Sequence, residues 1–393
     1  NDKAQGYRKG HGDIMNWWSA FTIGLLTGGI ISLLSARLFQ EEEDGGSQEA
    51  QVGRNGSIMA KAFQLKVSQG PEIVAIGGGT GLSTLLSGLK SYTRNITAIV
   101  TVTDEGGSSG RLRVEWGVLP PGDIRNCMVA LAENDSSLNR ILNFRFDRGE
   151  LKGHSLGNLI LLATTEMTGD FRKAVEELNN LLAIRGKVIP ITNESVTLCA
   201  ATRDGDTLRG ELDISVRGYQ IESVWIEPPD AKAVPDAILA IESADAVVLG
   251  PGSLFTSIIP NLMFGEVSEA LKRTAAPKIY ITNLMTQPGE TDGMSIMDHV
   301  RWITRTSGLV PDYVFTNDGE VPSDLLETYL AAGSVPLMMD EEHKRSLSLM
   351  GSRVVVSDFL DVSGGSVRHN SQKVSEALIR IAREERDTSR WKS

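Results

Sequence analysis

The sequence predicts an α/β fold: an open, mostly parallel sheet with helices on both faces and a small β-rich insertion. Three observations carry this. The apolar run Ile73–Ile76 breaks into Gly77, Gly78, Gly79, Thr80 and Gly81, then resumes at helical spacing with Leu82, Leu85, Leu86 and Leu89. Beyond it, short β-branched runs alternate with helical patterns, as in a parallel sheet covered by helices. Several of these runs end directly in glycine-rich or polar loops, and the carboxyl ends of such strands are where open sheets bind ligands.

The elements follow in order. After a flank of residues 1–13, residues 14–36 carry no charge and are mostly apolar, with Trp17 and Trp18 at one end and Arg37 at the other. About 20 apolar residues suffice to cross a bilayer. The expectation is a membrane anchor, with a buried soluble helix as the alternative. A cleaved signal peptide fits less well, since no small-residue cleavage site precedes Arg37. Lys3, Arg8 and Lys9 would hold that end in the cytoplasm and place the main domain outside. The chain starts with Asn, however, and a preceding helix would return the domain to the cytoplasm; the expected location is a cytoplasmic domain tethered to the membrane. Residues 37–69, acidic and rich in Gly, Ser and Gln, read as a linker.

Residues 70–390 form the expected ligand-binding domain. Strand candidates are Ile73–Ile76, Ile96–Val102, Ala246–Leu249, Lys278–Thr282, Tyr313–Thr316 and Arg353–Val356. The stretch 187–227 differs: Val196, Leu198 and Ala200 alternate, and Asp204-Gly205-Asp206 marks a turn, so it reads as a β-rich insertion with hairpins. Near the end, Val374, Leu378 and Ile381 share one face of a packing helix over Lys373–Glu385.

Composition excludes several classes. A net charge of -11 argues against nucleic acid as a partner. The two cysteines, Cys127 and Cys199, give no disulfide framework, and the five histidines show no zinc spacing. The glycine turn itself fits neither common fingerprint. Counting from Gly77 and Gly79, the third glycine of a dinucleotide motif falls on Leu82, and no lysine follows Gly81 at P-loop spacing. A nicotinamide dehydrogenase is therefore disfavoured.

What remains is a site of several loops. Bare amides at a helix start attract anions, phosphate above all, although a glycine turn can also serve packing alone. Asp104, about twenty residues beyond the turn, stands where a second-strand acid can bond a ribose. It lies in the run Thr103-Asp104-Glu105-Gly106-Gly107-Ser108-Ser109-Gly110-Arg111. In Pro120–Asn126, Asp123 offers an acceptor, Arg125 a phosphate fork and Asn126 an amide; Asp123 fits a helix cap equally well. Gly153-His154-Ser155-Leu156-Gly157-Asn158 opens another helix, with a plain cap and a sugar or phosphate contact both open. His154 and Ser155, as sequence neighbours with no third member, make no catalytic dyad. Gly250-Pro251-Gly252-Ser253 is a second strand-glycine-helix turn. Phe255 just beyond it reads as a core aromatic or as a stacking surface for a base. Asn283 and Thr286 close a third loop as hydroxyl partners or as turn residues.

Taken together, the runs IGGGTGLSTLLSGLK, NITAIVTVTDEGGSSGRLR, PPGDIRNCMVALA, GHSLGNLIL, TGDFRKAVEELN, GPGSLFTSIIPNL and ITNLMTQPGET resemble the gluconeogenesis factors, UDP-N-acetylglucosamine-binding proteins of the CofD-like superfamily. The resemblance spans about Ile73 to His299. It implies a Rossmann-like fold that binds a UDP-sugar and serves cell shape, envelope precursor supply and gluconeogenic growth. It implies that Gly77–Gly81 and Gly250–Ser253 approach the phosphates. Asp104, Glu105, Ser108, Ser109, Arg111, Asp123, Arg125, Asn126, His154, Asn158, Phe255 and Asn283 then line the same crevice. The family commonly has Ala-Asp-Asp where this chain has Thr103-Asp104-Glu105, which alters the reach of the second carboxylate. It often has tyrosine at Phe255, so a phenolic hydrogen bond is lost there.

Two function classes follow. The first is a non-enzymatic sensor of a UDP-sugar that needs no cofactor, apart from a divalent cation arriving with the nucleotide, and that works through protein partners or self-association. No metal ligand is assigned. The second resembles the 2-phospho-L-lactate transferases of the superfamily. The sensor is the expectation, since no nucleophile or activated base stands out.

Overall fold

The computed structural model describes residues 67–133, 137–217 and 221–392. The expected membrane helix at 14–36 and most of the linker lie outside them. Among the described residues no helix is long and apolar enough to cross a membrane.

In chain order the strands are β1 (Ile73–Gly77), β2 (Ile96–Val100), β3 (Lys187–Pro190), β4 (Thr197–Thr202), β5 (Thr207–Arg209), β6 (Ile221–Glu227), β7 (Ala246–Leu249), β8 (Lys278–Ile281), β9 (Tyr313–Asn317) and β10 (Arg353–Ser357). Seven of them form one sheet in the order β10-β9-β8-β7-β1-β2-β3, and every pair in it is parallel. Strands covered on both faces need no alternation, and β1 and β7 are buried throughout. This is the α/β architecture the sequence predicts.

The order of strands places the site. The chain lays down β1, β2 and β3 in one direction, then returns to the other side of β1 with β7 and continues outward to β10. The direction therefore reverses between β1 and β7, where Ile76 pairs with Leu249. At such a switch point the two following loops diverge and leave a crevice. Both glycine-rich turns start there.

The stretch 187–227 needs a correction. Lys187–Pro190 is the edge strand of the parallel sheet, paired with β2, rather than part of a hairpin. Only β4, β5 and β6 form the antiparallel sheet, in the order β5-β4-β6. Val188 and Ile189 are buried in succession, the habit of a strand covered on both faces.

The helix Gly79–Leu89 that follows β1 buries Leu82, Leu85, Leu86 and Leu89. Each such side chain contributes about 1.5–3 kcal/mol. The C-terminal helix runs over Ser371–Lys392, longer than expected, with Val374, Leu378 and Ile381 buried. It crosses the Gly79–Leu89 helix at Gly88, where a Cβ would lie 2.7 Å from Ser375 Oγ and collide with the Ser371 backbone.

Candidate functional site

The two glycine turns touch. A Cβ on Gly81 would lie 2.5 Å from Pro251 O, and one on Gly78 would lie 2.8 Å from both Asp123 Oδ2 and Thr101 Cγ2. Gly79 (φ +65°) and Gly250 (φ +81°) adopt left-handed conformations that side chains disfavour. Asn261, wholly buried, ties the turns together by donating to Gly77 O at 3.2 Å and Ser257 O at 2.7 Å.

Protein carboxylates already occupy part of both cradles. The Gly79 amide donates to Asp123 Oδ2 at 2.7 Å. At the second turn, Phe255 N donates to Glu290 Oε1 at 2.8 Å, and Ser253 Oγ donates to the same oxygen while accepting from Thr256 N at 3.1 Å. At the turn of Gly250, Gly252 and Ser253, Glu290 thus takes the Ser253 hydroxyl and the Phe255 amide. At the first turn the amides of Thr80 and Gly81 have no acceptor among the described residues. Thr80 is exposed and Gly81 half-exposed.

Phe255 is corrected to a core residue. It is 1% exposed and packs edge-to-face on Trp302, ring centres 4.9 Å apart, so its face is closed to a base. The chain here winds as a π-helix over Leu254–Ile258, which turns the ring inward.

Carboxylates gather beside the first turn. Burial, then the charge of Asp104, pushes the Asp123 carboxyl up to about 7. Glu211, which opens the short helix after β5, accepts from Glu105 N at 3.0 Å. Burial pushes it to about 7 as well, with Asp104 and Asp123 adding to the rise. Asp104 accepts from Gly106 N at 2.8 Å. Glu105 is drawn away toward Arg113, 3.6 Å distant. Among the described residues no group of three His, Cys, Asp or Glu side chains is arranged to hold a metal ion. The acidic group by itself therefore supplies no all-protein cage for a cation.

A basic group lies on the other side of the second-strand loop. Arg125 is 8% exposed; it donates to Asn126 Oδ1 at 2.6 Å and to Asn143 Oδ1 at 3.5 Å. Arg111 donates to Lys152 O at 2.7 Å, and Arg145 to Gly153 O at 2.6 Å. Ser108 Oγ lies 2.9 Å from His154 Nδ1 and accepts from Asn158 Nδ2 at 3.0 Å. Burial and then Arg111 hold the His154 pKa down, so the ring is neutral and Ser108 can donate to Nδ1. Ser109 Oγ accepts from Gly122 N at 3.0 Å, a structural bond that fixes the entry to the helix Gly122–Leu131. Asn283 spends its amide within its own loop, donating to Gln287 at 2.9 Å.

The structure thus brings Asp104 and Asp123 to the glycine turns, and Arg111, Arg125, Asn126, His154 and Asn158 to one neighbouring cluster. Glu211, Glu290 and Arg145 were missed. Glu211 and Glu290 accept from backbone amides 106 and 35 positions away, and Arg145 lies outside the Gly153–Asn158 run it bonds to, so no local pattern marks them. A separate cavity of about 920 Å³ opens at the opposite, amino-terminal ends of β1–β3. Its arginines are already paired: Arg185 with Glu133 at 3.3 Å and Arg172 with Asp236 at 2.7 Å.

Residues 73–360 match the family described as 2-phospho-L-lactate transferase CofD. A putative gluconeogenesis factor of Clostridium acetobutylicum is 46% identical over 316 residues, 79% of this chain and 69% of the relative. The gluconeogenesis factor of Bacillus subtilis is 42% identical over 320 residues, 81% of this chain and 100% of the relative. A crystal structure from Bacillus halodurans, described as a member of the UPF0052 family, superposes with a TM-score of 0.76 at 41% identity. It covers 79% of this chain and 99% of that one.

Proposed function

The chain belongs to the CofD family, among the gluconeogenesis factors, and from that premise we propose that it is a regulatory protein that binds a UDP-sugar, UDP-N-acetylglucosamine first. In this reading it reports precursor supply to carbon metabolism and envelope synthesis, and so bears on cell shape. The observation that carries it is the pair of unclaimed amides, Thr80 and Gly81, at the β1/β7 switch point, beside a second glycine turn. Donors of that kind suit a phosphoryl oxygen. Asp123 stands next to them, and its carboxyl, poised near 7, can be neutral beside an anion.

A non-catalytic role is supported by what the side chains are doing. The Ser108–His154 pair is buried, and the imidazole is held neutral. Cys127 is fully buried, and burial pushes its thiol up, away from the reactive thiolate. The second reading, transfer of a phosphorylated acid from a nucleotide-linked donor, draws on the family description and on Asp104 and Asp123. We further propose that the domain is cytoplasmic, tethered through residues 14–36, that it acts through protein partners or a homo-oligomer, and that a divalent cation enters only with the nucleotide.

The test is calorimetry on the full chain with UDP-N-acetylglucosamine, UDP-glucose, GDP and NAD, with and without magnesium. Saturable heat from a UDP-sugar, with no product by mass spectrometry, is the expected result. Tight GDP binding or a transferred phosphoryl group moves the assignment to the transferase.

A further inference from the structure

Three guanidinium groups crowd the start of the thirteen-residue helix Leu156–Thr168. Arg145 pairs with Ser155 through an isolated antiparallel bridge, and its side chain donates to Gly153 O. Arg111 reaches the adjoining carbonyl of Lys152. The Arg125 stem lies against Gly157, where a Cβ would sit 2.7 Å from Arg125 Cδ. Among the described residues none of the three forms an ion pair with a carboxylate; their partners are carbonyls and neutral amides. Arg125 is more than nine-tenths buried, and its Nε has no hydrogen-bond partner among the described residues.

Such a group is incomplete. A buried guanidinium with no carboxylate bonded to it is costly, and the neighbouring Arg145 raises that cost, with Asp123 and Asp104 offsetting part of it from a distance. At the helix start, Leu156 N goes to Phe144 O and Asn158 N to Ser155 Oγ, while Gly157 N has no acceptor among the described residues. Guanidinium forks and a free amide are the donor set that a tetrahedral oxyanion takes. The glycine turns, by contrast, carry Asp104, Asp123 and Glu211 close by.

We propose that Arg111, Arg125 and Arg145, with the N-terminus of the Leu156–Thr168 helix, form a subsite for a phosphate group apart from the glycine turns. The subsite deepens the UDP-sugar reading and rests on it only for the source of the phosphate. That source is either the pyrophosphate of the nucleotide sugar or a separate phosphorylated molecule; the donor chemistry is the same.

The experiment titrates inorganic phosphate into the full chain at constant ionic strength, by calorimetry. Saturable binding is expected, weakened about tenfold or more in Arg145→Gln and in Arg125→Gln, since bonds to charged groups are worth that much. The Arg145 side chain is exposed, so its variant tests the site without endangering the fold. Gly265→Ala, at a helix start outside both sites, should leave phosphate affinity unchanged. No binding to the unaltered chain, or binding in both arginine variants as tight as in the unaltered chain, overturns the proposal. Repetition with saturating UDP-N-acetylglucosamine separates the sources. Displaced phosphate marks the pyrophosphate as the occupant, retained phosphate marks a second molecule, and either supports the subsite. Failure of UDP-sugar binding with phosphate binding intact counts against the earlier reading alone.

Discussion

Gly81→Ala tests the contact on which the crevice depends. The added Cβ would stand 2.5 Å from Pro251 O and 2.9 Å from Pro251 C, both backbone atoms with no rotamer to yield. Ordinary contact begins at 3.4 Å, so the turns must separate by 0.9 Å (3.4 − 2.5). Overpacking of that kind costs about 1–3 kcal/mol. The better helix propensity of alanine returns about 0.5–1 kcal/mol. The net destabilisation is about 0.5–2 kcal/mol, a fall of a few degrees in Tm. Binding should suffer more, because a site must be held within about 0.5 Å of its productive geometry. We expect UDP-N-acetylglucosamine affinity to drop about tenfold or more. Gly265→Ala is the control: it also lies at a helix start, but its Cβ would meet nothing within 4 Å. It should match or slightly exceed the original Tm and bind normally. If Gly81→Ala behaves like Gly265→Ala in both assays, the turns do not meet as described.

Asp123→Asn should flatten the pH dependence of stability. The folded carboxyl is raised from 3.8 to about 7, so its ionisation opposes folding, and stability falls as pH rises from about 4 to about 7. Urea unfolding at pH 5, 6, 7 and 8 should show part of this slope gone, the remainder belonging to Glu211; an unchanged slope contradicts the assignment. His369→Gln should blunt acid sensitivity, because burial lowers the His369 pKa from 6.5 to about 4 and stability is lost as pH falls across that window. Melting curves from pH 7 to 4.5 check it, and the glutamine amide can still donate to Thr282 O, as the ring now does at 3.0 Å. Glu290→Gln should be nearly neutral, whereas Glu290→Ala, which leaves the Phe255 amide unsatisfied, should cost about 1–3 kcal/mol in denaturant unfolding. Equal stability of these two variants would remove Glu290 from its capping role. Affinity for the UDP-sugar should rise as pH falls through about 7, as Asp123 and Glu211 become neutral; calorimetry at pH 6 and 8 measures it.

The sheet was legible because buried parallel strands and glycine turns leave marks within a dozen residues. Ile73–Ile76, Ala246–Leu249 and the leucines after Gly81 needed no distant information. β3 was not legible, since four residues ahead of an alternating stretch are easily absorbed into it. The site divides in the same way. Asp123 and Arg125 could be chosen by residue type, but the bond from Gly79 to Asp123 spans 44 positions, and that from Glu105 to Glu211 spans 106. Phe255 stood in a ligand-rich motif, and only the π-helical winding shows that its ring faces Trp302. The resemblance to the gluconeogenesis factors supplied the family, while the gathering of Arg145 with Arg111 and Arg125 around one loop emerged only in three dimensions.

The bare crossing at Gly88 has a mechanical consequence. There the Ser371 main chain and the short Ser375 side chain lie directly on Gly88, so no long, pliant side chain stands between the helices. The helix that begins with the glycine turn is also packed against the one that carries Asp123. The helix opening at the glycine turn is thus close-packed on both sides, against the Asp123 helix and against the 22-residue helix Ser371–Lys392.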